Sequence, residues 1–361
     1  MIFALEAIRA GEGDALLLHY GTTEEPRFAL VDGGPTATWS KFVRPALAAH
    51  ATAGPLDLAW VAISHVDGDH VGGLLRLFSN IGNGANPVAL TDFLFVNSPV
   101  SAAAIRATVN PLVDHDAVAA MPASYPQAVE IIRDALAASI ELNPPTNTML
   151  LSGTRLPTTH TEPVTIDVIA PTANQLHRML DEWIAKLGES GGILPAGVDT
   201  SVTNLSSVVL LCTLMDGAKD RSMLLCGDAL DTDIIAGLEA LRPTENGAGW
   251  EFDIVKLPHH GSENNNHIAW FHRVHARHYV ISANGRHNNP DLNTITWLVE
   301  ANKNRRCTIW LTTPEGTPGD DGVAMDERIA ALRQAISDNN AQIDLQIIPK
   351  NANSVLVNAL D

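Results

Sequence analysis

Apolar positions along this chain come in two textures, short strand-like runs and longer stretches at helical spacing, and their order sketches the architecture. The opening reads as strand pairs, Ile2 to Ile8, Ala15 to Tyr20 and Phe28 to Val31. They are broken by Gly11-Glu12-Gly13-Asp14 and by Gly21-Thr22-Thr23-Glu24-Glu25-Pro26, whose residues favour turns. Asp32-Gly33-Gly34-Pro35 stops the third strand, a helix is predicted over Thr38 to Ala51, and Leu58 to Ile63 is an apolar run of the kind that forms a buried strand. A short strand at Phe93 to Val96 is followed by Ala-rich helical sequence, Ser101 to Ala107 and Gln127 to Ile140, read as a helical insertion at about 98–160 that ends in the loop-like Asn143 to Thr159.

Val164 to Pro171 alternates as a strand, Asn174 to Leu187 has helical spacing, and the Gly-rich stretch Gly188 to Thr200 reads as a mobile loop near the site. From there strand and helix alternate. Strands are predicted at Val208 to Leu214, Ser222 to Cys226, Phe252 to Leu257, Tyr279 to Ser282, Thr308 to Thr312, Ile343 to Ile348 and Val355 to Val357. Helices are predicted at Thr232 to Leu241, Asn266 to His275, Asn293 to Ala301 and Asp326 to Ile336. Because the chain opens on hairpins, two mixed sheets with helices outside fit better than one doubly wound sheet, and residues 1–361 are read as one domain.

Composition changes this picture only by exclusion. The 361 residues are 45% hydrophobic and 18% charged, as in a soluble globular protein. No run is apolar enough to span a bilayer and no secretory leader is visible, so no membrane association is expected and the cytoplasm is the default location. Cys212, Cys226 and Cys307 are odd in number, far apart and set in apolar runs, which points to buried free thiols. A formal charge of −18 repels polyanions, which disfavours extended nucleic acid as a partner. A short phosphodiester or other small-molecule substrate remains compatible, since bound cations bring their own charge. The sequence does not indicate an oligomeric state.

The chemistry concentrates in Ser64-His65-Val66-Asp67-Gly68-Asp69-His70-Val71-Gly72-Gly73, directly after the strand ending at Ile63. A Gly-containing turn there can wrap back so that His65 and Asp67 face one metal ion while Asp69 and His70 face a second. The competing reading is that Asp67 or Asp69 caps the helix starting near Val71, with both histidines merely exposed. Further on, Gly227-Asp228 ends a strand, and the Asp228 carboxylate can bridge two ions or cap the next helix. Pro258-His259-His260-Gly261-Ser262 ends another. Adjacent side chains after a strand point opposite ways, so His260 is favoured as a ligand and His259 as its support. In Ala283 to Pro290, His287 is placed to protonate a leaving group and Arg286 to pair with a phosphate or carboxylate, with an ordinary turn as the alternative. Asp69 and His287 are thus the candidate catalytic groups, and Asn284, Arg286 and Ser262 the candidate substrate contacts. His267, His272, His275 and His278, in or after a helix, are assigned solvated or core roles.

These four segments, in order, resemble the signature of the metallo-β-lactamase superfamily, His-x-His-x-Asp-His followed by a Gly-Asp carboxylate and a late His, with Asp67 where the second His usually stands. That departure, with Gly11 to Leu17, Leu30 to Gly34, Asn204 to Leu210 and His259 to Ser262, looks like the hydrolase domain of the DNA-uptake competence proteins of the ComEC type, without their membrane channel. Asn289 stands where those proteins usually carry His. The resemblance implies an α/β (α+β) fold, a four-layer αββα sandwich with the site at one edge. It implies that His65, Asp67 and Asp228 hold one ion and Asp69, His70, Asp228 and His260 the other. Asn204 or Ser207 would stand in place of the usual third His of the first ion.

Two cations about 3.5–4 Å apart activate water and clamp the attacking and leaving oxygens of a displacement, which is hydrolytic chemistry. An Asp in place of an imidazole hardens the ligand set toward Mn²⁺ or Mg²⁺ without excluding Zn²⁺. The expected function is a metal-dependent phosphodiesterase or nuclease, with Arg286 and Lys256 as nearby cations. The alternatives are a hydrolase of a small ester, lactone or amide, and a non-catalytic binding or regulatory module on the same fold.

Overall fold

The structure is a computed structural model that describes the chain except residues 53, 82–85, 90, 98–123, 145–148, 159–163, 178–203, 205, 216, 218 and 317. The predicted helix at Ser101 to Ala107, most of the one at Asn174 to Leu187 and the loop at Gly188 to Thr200 lie outside the described residues.

Two mixed sheets form, as the succession of hairpins and later strand–helix alternation requires. The first comprises β1 (Ile2–Ile8), β2 (Leu16–Gly21), β3 (Pro26–Val31), β4 (Leu58–Ile63), β5 (Phe93–Val96) and β6 (Glu141–Leu142), joined on the outer side of β1 by a strand from the end of the chain. The second comprises β7 (Arg155–Leu156), β8 (Val164–Ala170), β9 (Val209–Leu214), β10 (Arg221–Leu225), β11 (Trp250–Lys256), β12 (Val274–Ile281), β13 (Cys307–Leu311) and β14 (Ile343–Ile347), paired in that order. The closing strand of the first sheet is β15 (Ser354–Asn358), antiparallel to β1. Pairing turns parallel from β3 through β6 and from β10 through β14, so the C-terminal ends of those strands lie along common sheet edges.

Alternation along the strands divides the apolar residues into three cores. Phe3, Leu5, Leu18 and Trp60 of the first sheet meet Ile166, Leu210, Leu225 and Ile254 of the second between the sheets. The opposite face of the first sheet, with Leu17, Leu30, Val61 and Ile63, packs against helices, as does that of the second, with Leu211, Leu224, Val255 and Ile281. The outer helices are α1 (Arg44–His50), α2 (Gly68–Phe78) and α3 (Ser124–Ala137) on the first sheet, and α4 (Asp231–Leu241), α5 (Ile268–Arg273), α6 (Leu292–Asn302) and α7 (Met325–Asp338) on the second. The result is the four-layer αββα arrangement. No helix among the described residues is long and apolar enough to cross a membrane. Cys212, Cys226 and Cys307 are free and buried, as expected.

One boundary differs from the sequence reading. The helix predicted to run to His275 ends at Arg273, and β12 begins at Val274, well before the predicted Tyr279. His275 and His278 pair in register with Glu251 and Ile254, and polar residues on a partly covered ladder hide the strand's alternation. Helix α3 and β6 fall within the stretch read as an insertion. Here Ala128, Ile131 and Ala135 of α3 are buried in the outer core of the first sheet, and β6 pairs with β5.

Candidate metal centre

The site is built from loops at the C-terminal ends of β3, β4, β10, β11 and β12, the edge where open α/β sheets place their ligands. Glycine allows the loops to approach. A Cβ on Gly73 would sit 1.9 Å from the Gly33 carbonyl oxygen and one on Gly13 1.8 Å from that of Asp69, so neither position tolerates a side chain. Gly227, at φ +51, lies so close to Ser64 that a Cβ there would sit 2.9 Å from the serine Cβ.

The capping alternatives do not hold. Asp67 occupies the N-cap position of α2 but makes no side-chain capping bond, and the N-cap of α4 is Leu230 rather than Asp228. Instead the two oxygens of Asp228 divide the ligand groups between them. On Oδ2, His65 Nε2 lies at 3.7 Å and His259 Nε2 at 3.5 Å, with Asp67 Oδ2 3.7 Å from His65 Nε2. On Oδ1, His70 Nε2 lies at 3.5 Å and His260 Nε2 at 3.6 Å, and Asp69 Oδ2 is 3.7 Å from the first and 3.4 Å from the second. Both neighbouring histidines therefore reach the same carboxylate, contrary to the alternation expected of them. The reason is the backbone: His259 and His260 are both left-handed, at φ 44 and 53, and consecutive residues in that conformation need not face opposite ways. His259 thus shares an oxygen of Asp228 with His65. Ser207 stands against Gly227, and its hydroxyl and the Asn204 amide oxygen are buried without a hydrogen-bond partner among the described residues.

The spacing and satisfaction of these atoms test whether a cation fits. Ligands about 2.1 Å from a tetrahedral ion are about 3.4 Å from one another, close to the separations here and too long for hydrogen bonds. The imidazole Nε2 atoms of His65, His70 and His260, and Asp228 Oδ1, are buried and have no hydrogen-bond partner among the described residues, a costly arrangement unless something positive lies between them. Each ring is anchored at its other nitrogen. His70 Nδ1 is 2.8 Å from Asp32 Oδ2, His260 Nδ1 3.0 Å from the Ser282 carbonyl, His259 Nδ1 2.8 Å from Asn265 Oδ1, and His65 Nδ1 3.2 Å from Ser64 Oγ. Such partners fix the tautomer that aims a lone pair from Nε2 inward, as in carboxylate–histidine–metal arrangements. Asp32 is held by the Ser64 amide at 2.8 Å and its hydroxyl at 2.6 Å.

Electrostatics point the same way. Burial alone would raise the Asp228 and Asp69 carboxyls and depress His70 and His260. The opposing charges win: both carboxyls are held well below their usual range, His70 is raised, and His260 is lifted to about 9, chiefly by Asp228. His65, by contrast, is pushed down to about 3 by burial and by the neighbouring His70. Three carboxylates and four imidazoles in one buried cluster draw in positive charge, and protons take that part wherever a cation does not.

Asp67, Asp69, Asp228, His259 and His260 open onto a cavity of about 470 Å³ that Ser262, Asn284, Arg286 and His287 also line. His287 is exposed there, with a left-handed backbone at φ 54. Arg286 and Asn284, expected to meet substrate, are both engaged by Glu12, at 2.9 and 3.0 Å. Lys256, considered as a cation near substrate, is wholly buried and ion-paired with Asp14 at 2.5 Å. Sequence reasoning assigned no role to Glu12 or Asn265 and placed Asp14 and Asp32 only in strand-end motifs. An isolated acid in a turn carries no signal of which long-range partner it will meet.

Residues 24–146 match the sequence model of the metallo-β-lactamase superfamily, and the two-sheet architecture with outer helices is consistent with that superfamily's sandwich. Among solved structures, unliganded yeast PDE1 is similar at 11% identity and a TM-score of 0.45, covering 99% of this chain and 100% of that one. Zn²⁺-bound PqqB from Methylobacterium extorquens is similar at 11% identity and a TM-score of 0.42, covering 96% and 87%. The metallo-β-lactamase fold protein YhfI from Bacillus subtilis gives 11% and 0.40, covering 98% of each chain. No curated protein sequence matches the chain.

Proposed function

We propose that this chain is a metal-dependent hydrolase whose centre holds two divalent cations and acts on a small or short phosphodiester. The observation that carries the reading is the division of Asp228, each oxygen facing its own imidazoles and carboxylate. In this reading His65, Asp67, His259 and Asp228 hold one ion, and Asp69, His70, His260 and Asp228 the other. With three carboxylates among the ligands, Mn²⁺ and Zn²⁺ are both suitable, and Mg²⁺ is compatible. Bound there, such ions supply Lewis acidity to water and to a substrate oxygen.

The protein's own groups supply the rest. Asp69, whose side chain is 33% exposed against 12% for Asp67 and 4% for Asp228, is the carboxylate open enough to accept a proton from water. His287, exposed on the cavity wall, delivers a proton to the leaving oxygen. Arg286, Asn284 and Ser262 orient the substrate, the first two after exchanging Glu12 for it. The resemblance of the His65–His70, Asp228 and His259–Ser262 segments to ComEC-type hydrolase domains supports phosphodiester chemistry, though no uptake of DNA is inferred.

One observation favours a second reading. Glu12 occupies both Arg286 and Asn284, so the cavity wall offers a carboxylate where an anionic substrate would bind, and a small neutral ester, lactone or amide avoids that repulsion. Turnover of bis-p-nitrophenyl phosphate against p-nitrophenyl acetate and a lactone, in Mn²⁺ and then Zn²⁺, separates the two. Diester cleavage is the expected result, ester or lactone cleavage alone selects the second reading, and no turnover with less than one ion bound per chain leaves a binding or regulatory module.

A further inference from the structure

A second cluster of metal-ligating side chains lies on the outer face of the first sheet and shares no residue with the centre described above. Glu6 on β1, His19 on β2 and His50 at the end of α1 bring one carboxylate oxygen and two imidazole nitrogens within ligand distance of one another. Glu6 Oε2 is 2.9 Å from His19 Nε2 and 2.7 Å from His50 Nε2. We propose that Glu6, His19 and His50 form an independent site for one borderline divalent cation, of the Zn²⁺ or Co²⁺ kind.

Three features support a ligand set over a chance meeting of polar groups. The donors are two imidazoles and a carboxylate on one side of the prospective ion, a set that suits borderline transition metals and leaves positions for water. The carboxylate is braced from behind, because the Ser354 hydroxyl donates to Glu6 Oε1, as ligating carboxylates generally require. The rings are also held in place: Phe28 lies edge-on to His19 at 4.9 Å and 5.2 Å from His50, and the two imidazoles meet at 85° with centroids 4.9 Å apart. Glu6 and His19 are 8% and 11% exposed at the side chain and His50 is 26%, so a cation enters past His50 at the end of its helix.

Without metal, each imidazole donates its Nε2 proton to Glu6 Oε2, which satisfies all three groups. To bind a cation the two protons move to Nδ1, freeing both Nε2 lone pairs, and the donor atoms separate by about 0.5–0.7 Å toward the roughly 3.4 Å that shared coordination needs. Little strain is expected, since His50 is the last residue of a short helix.

The discriminating variant is H50Q, whose amide still donates to Glu6 but offers no nitrogen lone pair. Chelator-stripped protein is loaded with ZnCl₂, desalted and analysed for metal. Wild type is expected to retain one equivalent more than H50Q, and metal-free H50Q to melt within a degree or two of wild type. In H50C loaded with CoCl₂ a thiolate-to-cobalt charge-transfer band absent from wild type is expected, the native cysteines being buried. Equal zinc content in wild type and H50Q, or no such band in H50C, overturns the proposal and leaves the cluster as a hydrogen-bonded pin. Both readouts are independent of hydrolysis, so they stand or fall separately from the dinuclear centre.

Discussion

Asp228 and Asp32 occupy different shells around the same cluster, and their removal is expected to differ accordingly. Asp228→Asn takes a charged oxygen from both ligand groups, so metal analysis should find at least one ion lost and hydrolysis abolished. Asp32→Asn leaves every inward-facing atom in place but loosens the His70 ring and the Ser64 loop that Asp32 ties together. It should weaken metal affinity by about 10–100-fold, measured by competition with a chromophoric chelator. A third residue reports through pH. In metal-free protein burial alone would raise the Glu6 carboxyl, but hydrogen bonds from His19, His50 and Ser354 lower it from 4.5 to about 2. A depressed carboxyl stabilises the fold above its unfolded value and loses that contribution as pH falls through the folded one, so the window runs from about 4.5 down to about 2. Glu6→Gln should flatten that part of the stability profile in chemical denaturation, by at most about 3 kcal/mol. At this scale the sequence makes candidate ligands legible where they crowd one turn, as in His65 to His70, or follow a strand as Gly-Asp, and the structure brings those residues together. The sequence was not legible where a backbone angle decides: nothing in His259-His260 announces two left-handed residues that let both rings approach Asp228.

Strands and helices are held at the site by contacts that leave no room. Gly73→Ala places a methyl group 1.9 Å from the Gly33 carbonyl oxygen, backbone against backbone, so α2 must move away from the β3 loop. The expected cost is about 1–3 kcal/mol or more in denaturant unfolding, with metal affinity falling in parallel because Asp69 and His70 ride on that helix. On β11, Lys256→Met strands the Asp14 carboxylate in the interior beside His260 Nδ1, which is 3.5 Å away. Breaking a buried pair this way typically costs about 3–5 kcal/mol, whereas the double variant Asp14→Leu/Lys256→Met should recover most of it, a comparison thermal denaturation can make. Elements were readable from sequence where burial imposes a clean period, as along Leu58 to Ile63 or Val164 to Ala170. β12 escaped because two histidines break its pattern, and the two-residue strands β6 and β7 because no period can be read from so few positions.

At the scale of the whole molecule, the centre draws His65 to His70 from the first sheet and Asp228, His259 and His260 from the second. In the proposed reading, cations there would add a further tie between halves that already meet through the apolar interior and through the Glu12–Arg286 and Asp14–Lys256 contacts. Chelation should therefore lower the melting temperature as well as remove activity, and re-addition of ion at about a thousand times its dissociation constant should restore about 4 kcal/mol per ion, read as a concentration-dependent shift in melting. The overall layering was foreseeable because hairpins followed by strand–helix alternation admit few arrangements, while which loops would converge depended on long-range approach that composition and period do not encode.

The pairing of β15 with β1, which sets Asn358 opposite Ala4, bears on how the chain is made as well as how it is held. During synthesis β1 waits until Ser354 to Asn358 have left the ribosome before its outer hydrogen bonds are filled, and contacts so distant in sequence form slowly. Nascent chains stalled short of Ser354 should expose that ribbon of amide and carbonyl groups to one another and self-associate.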